Sequence, residues 1–168
     1  MLGYLTPAPW EGARSMATEV KQARDALYET DFYAWAREQA ALLRAGRFRE
    51  LDLENLVEEV DDLGGALKRS VRSRVRTILE HLLKLQHAPA AEPRAGWYDT
   101  VLAQRDDLLD DLTPTLRRQV QDELPELYAR ARKRAMTSLR KHGEGGAADR
   151  LPETCPYTLD QITGDWLP

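Results

Sequence analysis

Carboxylates crowd two places in this sequence, and their spacing suits metal chemistry. Asp106-Asp107-Leu108-Leu109-Asp110 sets aspartates at i, i+1 and i+4, which a helix turns toward one side. Such a set can hold magnesium, a cation that takes oxygen ligands, and through it a diphosphate. Glu58-x-x-Asp61 with Glu59-x-x-Asp62 forms a second set of the same kind. Each is incomplete: the first lacks a second aspartate motif, and the second lacks an upstream ExxE pair, because Val57 follows Glu54 at the third position. Glu58, Asp61, Asp62, Asp106, Asp107 and Asp110 are therefore candidate magnesium ligands, set against the plainer reading of acids on a solvated helix face.

Other metals are poorly served. Helical zinc and di-iron sites want a histidine three or four residues from a partner ligand. His81, His87 and His142 have Ile78, Lys84 and Leu139 three residues before them, and neither Glu-x-x-His nor His-x-x-x-His occurs. No cofactor is expected. Cys155, the one cysteine, needs a base or a helix start nearby to become a nucleophile; otherwise it is a small apolar group. Arg130, Lys133, Arg134, Arg140 and Lys141 fall within about 120° of arc on one helix, opposite Leu127, Tyr128, Ala131, Ala135 and Leu139. That basic face could meet an acidic partner or simply be solvated. Arg74 projects onto an apolar stripe, where a buried guanidinium needs a carboxylate.

The elements that must position these residues are helical. Residues 1–13 show no periodicity and read as an extended arm; 14–168 read as one helical domain. Met16, Val20, Ala23 and Leu27 recur as one helix face. A helix capped by Thr30 or Asp31 and ended by Gly46 should bury Phe32, Trp35, Gln39 and Leu42 or Leu43. Asp52 caps the most legible element: Leu53, Leu56, Val60, Leu63, Leu67, Val71, Val75, Ile78, Leu82 and Leu85 form one stripe over about nine turns. We expect this stripe at the centre of the fold. Gly64-Gly65 costs about 2 kcal/mol of helix propensity and leaves continuity or a kink both open. Pro89 and Pro93 end this helix. Trp97, Val101, Leu108 and Leu112 mark the next, and Thr113-Pro114 is a cap and first-turn proline for a fifth. Pro125 should bend that helix or start a new segment. Gly143-Glu144-Gly145-Gly146 reads as a loop, and Thr158-Leu159-Asp160-Gln161 as a capping box opening a short turn. With no convincing strand, the fold class is all-α, a bundle of about five main helices.

Composition narrows the field further. The 168 residues are 42% hydrophobic, 31% charged and 7% aromatic, with 24 basic and 28 acidic residues and a net charge of −4. Such a chain can bury a core of its own. No apolar run reaches the length of a membrane span, and a single cysteine suits a reducing, cytoplasmic setting. The net charge weighs against nucleic acid as a partner without removing it.

Four segments carry a resemblance: Leu27-Tyr28-Glu29-Thr30-Asp31-Phe32-Tyr33-Ala34-Trp35, Leu51-Asp52-Leu53-Glu54-Asn55-Leu56-Val57-Glu58-Glu59-Val60, His81-Leu82-Leu83-Lys84-Leu85-Gln86 and Pro152-Glu153-Thr154-Cys155-Pro156-Tyr157-Thr158-Leu159. In that order they resemble the bacterial family catalogued as domain of unknown function twenty-nine. Gly65 beside Gly64, Leu85 in place of an aromatic and the arm before Tyr28 depart from its pattern. The resemblance implies a compact helical bundle and assigns no activity and no functional residue. Two functions are expected: a non-enzymatic interaction module, binding a protein partner or a second copy of itself, or a magnesium-dependent enzyme acting on a phosphorylated small molecule. The first is favoured, because no catalytic constellation is complete.

Overall fold

The caps that the sequence advertises set the boundaries of the helices. In a computed structural model that describes residues 26–89 and 93–168, residues 26–30 are helical and Asp31 accepts from the Ala34 amide, opening α1 (Phe32–Arg44). Gly46, at φ 68°, turns the chain out of α1, a conformation glycine adopts without steric cost. A single 3₁₀ turn (Phe48–Glu50) leads to α2 (Leu53–His87), which runs unbroken through Gly64 and Gly65. Then come α3 (Arg94–Asp111), α4 (Pro114–Lys141), α5 (Gly145–Asp149) and α6 (Leu159–Thr163). Among the described residues there is no strand, and the architecture is an all-α bundle. The expected arm of residues 1–13, with Leu5 and Trp10, and most of the expected first helix lie outside the described residues.

The chain divides into two compact units that meet in sequence at Leu63 and Gly64. In the first, Tyr28, Phe32 and Trp35 form an aromatic cluster with ring centroids 4.9–6.0 Å apart. Trp35, Gln39 and Leu42 are buried as expected, while Phe32 and Leu43 are exposed. Asp52 joins the elements of this unit. Its carboxylate accepts from the Trp35 indole at 3.1 Å and from the Asn55 amide, while its own backbone N–H donates to Gln39 at 2.9 Å.

In the second unit, Val71, Val75, Ile78 and Leu82 continue the apolar stripe of α2 and are fully buried against Val101, Leu108, Leu127 and Leu139. Burial of each such side chain contributes roughly 1.5–3 kcal/mol. Thr113 caps α4 with proline at the first turn, and Thr158 caps α6 in a complete capping box.

Four expectations need correction. The stripe of α2 is not central throughout: Leu53, Val60, Leu63 and Leu67 are exposed, and burial begins at Val71. Periodicity tells which residues share a face and not what covers them. Pro125 does not start a new segment, one of the two outcomes expected of it, because α4 runs on through it. Its missing N–H frees the Gln121 carbonyl, and both residues sit on the exposed side, where water can bond it. Gly145 and Gly146 belong to α5, a single turn that buries Ala147 and Ala148. Arg74 is less buried than expected. Its head reaches the α3 edge, where it pairs with Asp107, lies 3.8 Å from Asp111 and donates to Ser70.

Among the described residues the buried arginine is Arg105, 3% exposed. Its Nε donates to the Ile162 carbonyl at 3.0 Å, and one terminal nitrogen donates to Gln161 and Trp166 carbonyls at 2.7 Å each. Burial lowers its pKa below the ordinary arginine value. Val101, Arg105 and Leu108 share one face of α3, so the signal was present in the spacing.

Candidate functional site

The first half of α2 presents the feature that the fold leaves unused. Leu53, Val57, Val60 and Leu63 are between 60% and 72% exposed, and with half-buried Leu56 they lie within about 120° of arc. Contiguous exposed apolar surface on a folded domain is a mark of interaction sites. The flanks are charged in one sense only. Residues 51–67 hold six acids and no base. Asp52 and Glu59 face inward: Asp52 bonds Trp35, and Glu59 accepts from the Tyr28 hydroxyl at 2.6 Å, which pushes that phenol up to about 12. Glu58, Asp61 and Asp62 are exposed and, among the described residues, form no ion pair. The result is an apolar stripe beside a row of carboxylates on one rigid helix.

The candidate magnesium ligands do not assemble. Asp106, Asp107 and Asp110 are exposed on α3, and Asp107 is held by Arg74. Among the described residues, no three histidine, cysteine, aspartate or glutamate side chains lie close enough to share a metal ion. The basic face of α4 is partly neutralised. Arg130 pairs with Glu126 at 2.6 Å, Arg134 lies 3.0 Å from a Glu80 oxygen without hydrogen-bond alignment, and Arg140 pairs with Asp149 at 2.8 Å. Lys133 and Lys141 are exposed, with no ion pair among the described residues.

Cys155 lines a 400 Å³ pocket with Gln121, Tyr128, Glu153 and Tyr157, and no histidine lines it. Its thiol donates to the Tyr157 carbonyl at 3.4 Å, and burial pushes its pKa up, away from nucleophilic thiolate character. The tyrosines there hold backbone and side chain. Tyr128 donates to the Pro152 carbonyl at 2.6 Å, and Tyr157 to Gln86 at 2.7 Å.

Two charge features escaped the sequence reading. Glu80 and Lys84 are a buried pair at 2.6 Å, with the ammonium 5.9 Å from the centre of the Trp97 ring. Their i, i+4 spacing within an apolar run was the available signal. The other is an arginine groove formed by α2 and α4, lined by Arg69, Arg72, Arg76 and Arg130. Arg69, Arg72 and Arg76 recur at steps of three and four in the sequence, which puts them on one face of α2.

The fold and these features define an all-helical protein that exposes, among its described residues, an apolar stripe on α2 and an arginine-lined groove. Residues 27–167 match the domain of unknown function DUF29, and the chain belongs to that family. No curated protein and no solved structure matches the chain. No helix among the described residues is long and apolar enough to cross a membrane.

Proposed function

We propose that the protein is a non-enzymatic interaction module whose docking face is the stripe Leu53, Val57, Val60 and Leu63, and whose partner offers a basic amphipathic helix. The exposure of that stripe beside Glu58, Asp61 and Asp62 carries the reading. A helix lying along it would bury its own apolar face and set lysines or arginines against the carboxylates, a recurring mode of recognition. A second copy fits less well. Pairing residues 51–67 with themselves, in either direction, sets acid against acid with no base to offset it. Nothing in the positions of Asp106, Asp107 and Asp110 favours the magnesium-dependent alternative.

A synthetic helical peptide with a leucine stripe and lysine flanks tests this by fluorescence anisotropy against the full chain. Binding should weaken with salt, should be lost in Val60→Asp/Leu63→Asp, and should be absent for the same peptide with glutamate flanks. No binding of the lysine peptide overturns the proposal. So does dimerisation that Val60→Asp abolishes, which would make a second copy the occupant. A large loss of stability of the free chain in Val60→Asp/Leu63→Asp also overturns it, because residues of the same chain would then cover the stripe.

A further inference from the structure

A concentration of positive charge lies elsewhere, in an open groove of about 700 Å³ on the second unit. Arg69, Ser70, Arg72, Ser73 and Arg76 of α2 line it, opposite Arg130 of α4. Positions 69, 72, 73 and 76 follow at steps of three, one and three, so one helix face carries three guanidinium groups and a hydroxyl.

The local charges do not cancel. Glu123 lies 3.0 Å from both Lys68 and Arg72, and Glu126 pairs with Arg130 at 2.6 Å and approaches Arg72 at 4.0 Å. Arg69 and Arg76 have no ion pair among the described residues. Five cations thus share two carboxylates, in a chain whose net charge is −4. The Nε–H of Arg76 is moreover buried with no acceptor. A buried donor left unpaired is costly, and this one belongs to an arginine that lines the groove.

The lining also states what the ligand is. No carboxylate is among the lining residues; Glu123 and Glu126 reach the groove only through their pairs with Arg72 and Arg130. Guanidinium forks match phosphate oxygens in pairs, and serine hydroxyls add donors. No aromatic side chain lines the groove, and single-stranded nucleic acid is ordinarily held by stacking its bases on such rings. Seven helical steps lead from Arg69 to Arg76, about 10 Å along the axis, more than one phosphate spans.

We infer that this groove binds an oligophosphate, a chain of two or more linked phosphoryl groups, and reads the phosphates rather than any attached base. The source can be inorganic polyphosphate or the phosphate chain of a nucleotide. Isothermal titration of the full chain, in magnesium-free buffer, separates these with tripolyphosphate, ATP, orthophosphate and an oligothymidylate as probes.

Tripolyphosphate and ATP should bind within about threefold of one another, and orthophosphate at least about tenfold more weakly, because only linked phosphoryl groups reach several forks. Affinity should fall steeply with salt. Arg69→Gln/Arg76→Gln should weaken tripolyphosphate at least about tenfold, while Lys133→Gln/Lys141→Gln, on exposed lysines outside the groove lining, should leave it unchanged. Arg69→Gln alone, at an exposed position, repeats the test should the double variant unfold. Tripolyphosphate failing to bind overturns the inference. Equal losses in the two double variants overturn it as well, since the attraction would then be diffuse. ATP binding far more tightly than tripolyphosphate would show a base being read, and tighter oligothymidylate would make the groove a nucleic-acid site; either also overturns it.

Discussion

The indole of Trp35 donates to the carboxylate of Asp52, the residue that also caps the longest helix of the protein. One side chain thus ends the connection from α1, starts α2 and satisfies the polar edge of a ring that is 2% exposed. Asp52→Ala removes the cap and leaves the indole N–H without an acceptor. A cap is worth about 1 kcal/mol and an unmade buried bond about 1–3, so the loss should be about 2–4 kcal/mol. Asp52→Asn, which keeps one acceptor oxygen, should lose less than half as much. Urea unfolding followed by tryptophan fluorescence reads both, and equal losses would refute this account of the carboxylate.

Gly64 and Gly46 should respond in opposite directions to the same substitution. A Cβ at Gly64 would meet nothing within 4 Å, so Gly64→Ala should gain about 1 kcal/mol of helix propensity. Gly46 also has open space, but at φ 68° an alanine is strained, and Gly46→Ala should lose about 1 kcal/mol. Thermal unfolding of the two variants should bracket the parent chain. If Gly64→Ala melts lower, the helix does not run straight through the glycine pair.

The buried Glu80–Lys84 pair gives a non-additive prediction. Glu80→Leu leaves the Lys84 ammonium buried beside Trp97 without its carboxylate, at a cost of about 3–5 kcal/mol. Arg134, half exposed, turns to water. Glu80→Leu/Lys84→Met replaces the pair by apolar groups and should recover most of that loss. A double variant as unstable as the single one would mean that the pair does more than neutralise itself.

Stability should also depend on pH near neutrality. Burial lowers the pKa of His81 below its ordinary 6.5, and its Nδ1 lies 2.9 Å from the Thr77 carbonyl, which can only accept. His87 is shifted the same way by burial. As pH falls below 6.5, the unfolded chain takes up protons that the folded chain refuses, so stability declines until the folded-state pKa is passed. His81→Gln should flatten the profile between pH 7.5 and pH 5.5, a window placed about 1 unit either side of the unperturbed imidazole. An unchanged slope in that variant would assign the effect elsewhere.

Much of this fold was legible because its signals are local. Asp31, Asp52, Thr113-Pro114 and Thr158-Leu159-Asp160-Gln161 each act within one turn of chain, and each cap is found where the sequence placed it. What covers a face is not local. The stripe of α2 reads the same from Leu53 to Leu85, yet only the part from Val71 onward is buried. Arg74 and Arg105 both project onto apolar stripes, and spacing cannot rank them. One lies within reach of Asp107 and Asp111 at a helix edge, whereas the other depends on carbonyls far along the chain. Of the candidate site residues, the acids were visible as runs, but their failure to converge is a property of tertiary structure. The arginine groove was visible only as a basic stretch until α4 supplied its opposite wall.

The dependence of Arg105 on distant carbonyls has a consequence for biosynthesis. Its acceptors lie 56, 57 and 61 positions downstream, at Gln161, Ile162 and Trp166. At about 5–20 residues per second, a ribosome needs roughly 3–12 s to make the stretch from Arg105 to Trp166. During that interval α3 exists with a guanidinium whose buried resting place has no oxygen to receive it. The second unit therefore cannot close around Arg105 until Trp166 has been made, and nascent chains halted before Gln161 should be the form that chaperones and proteases meet.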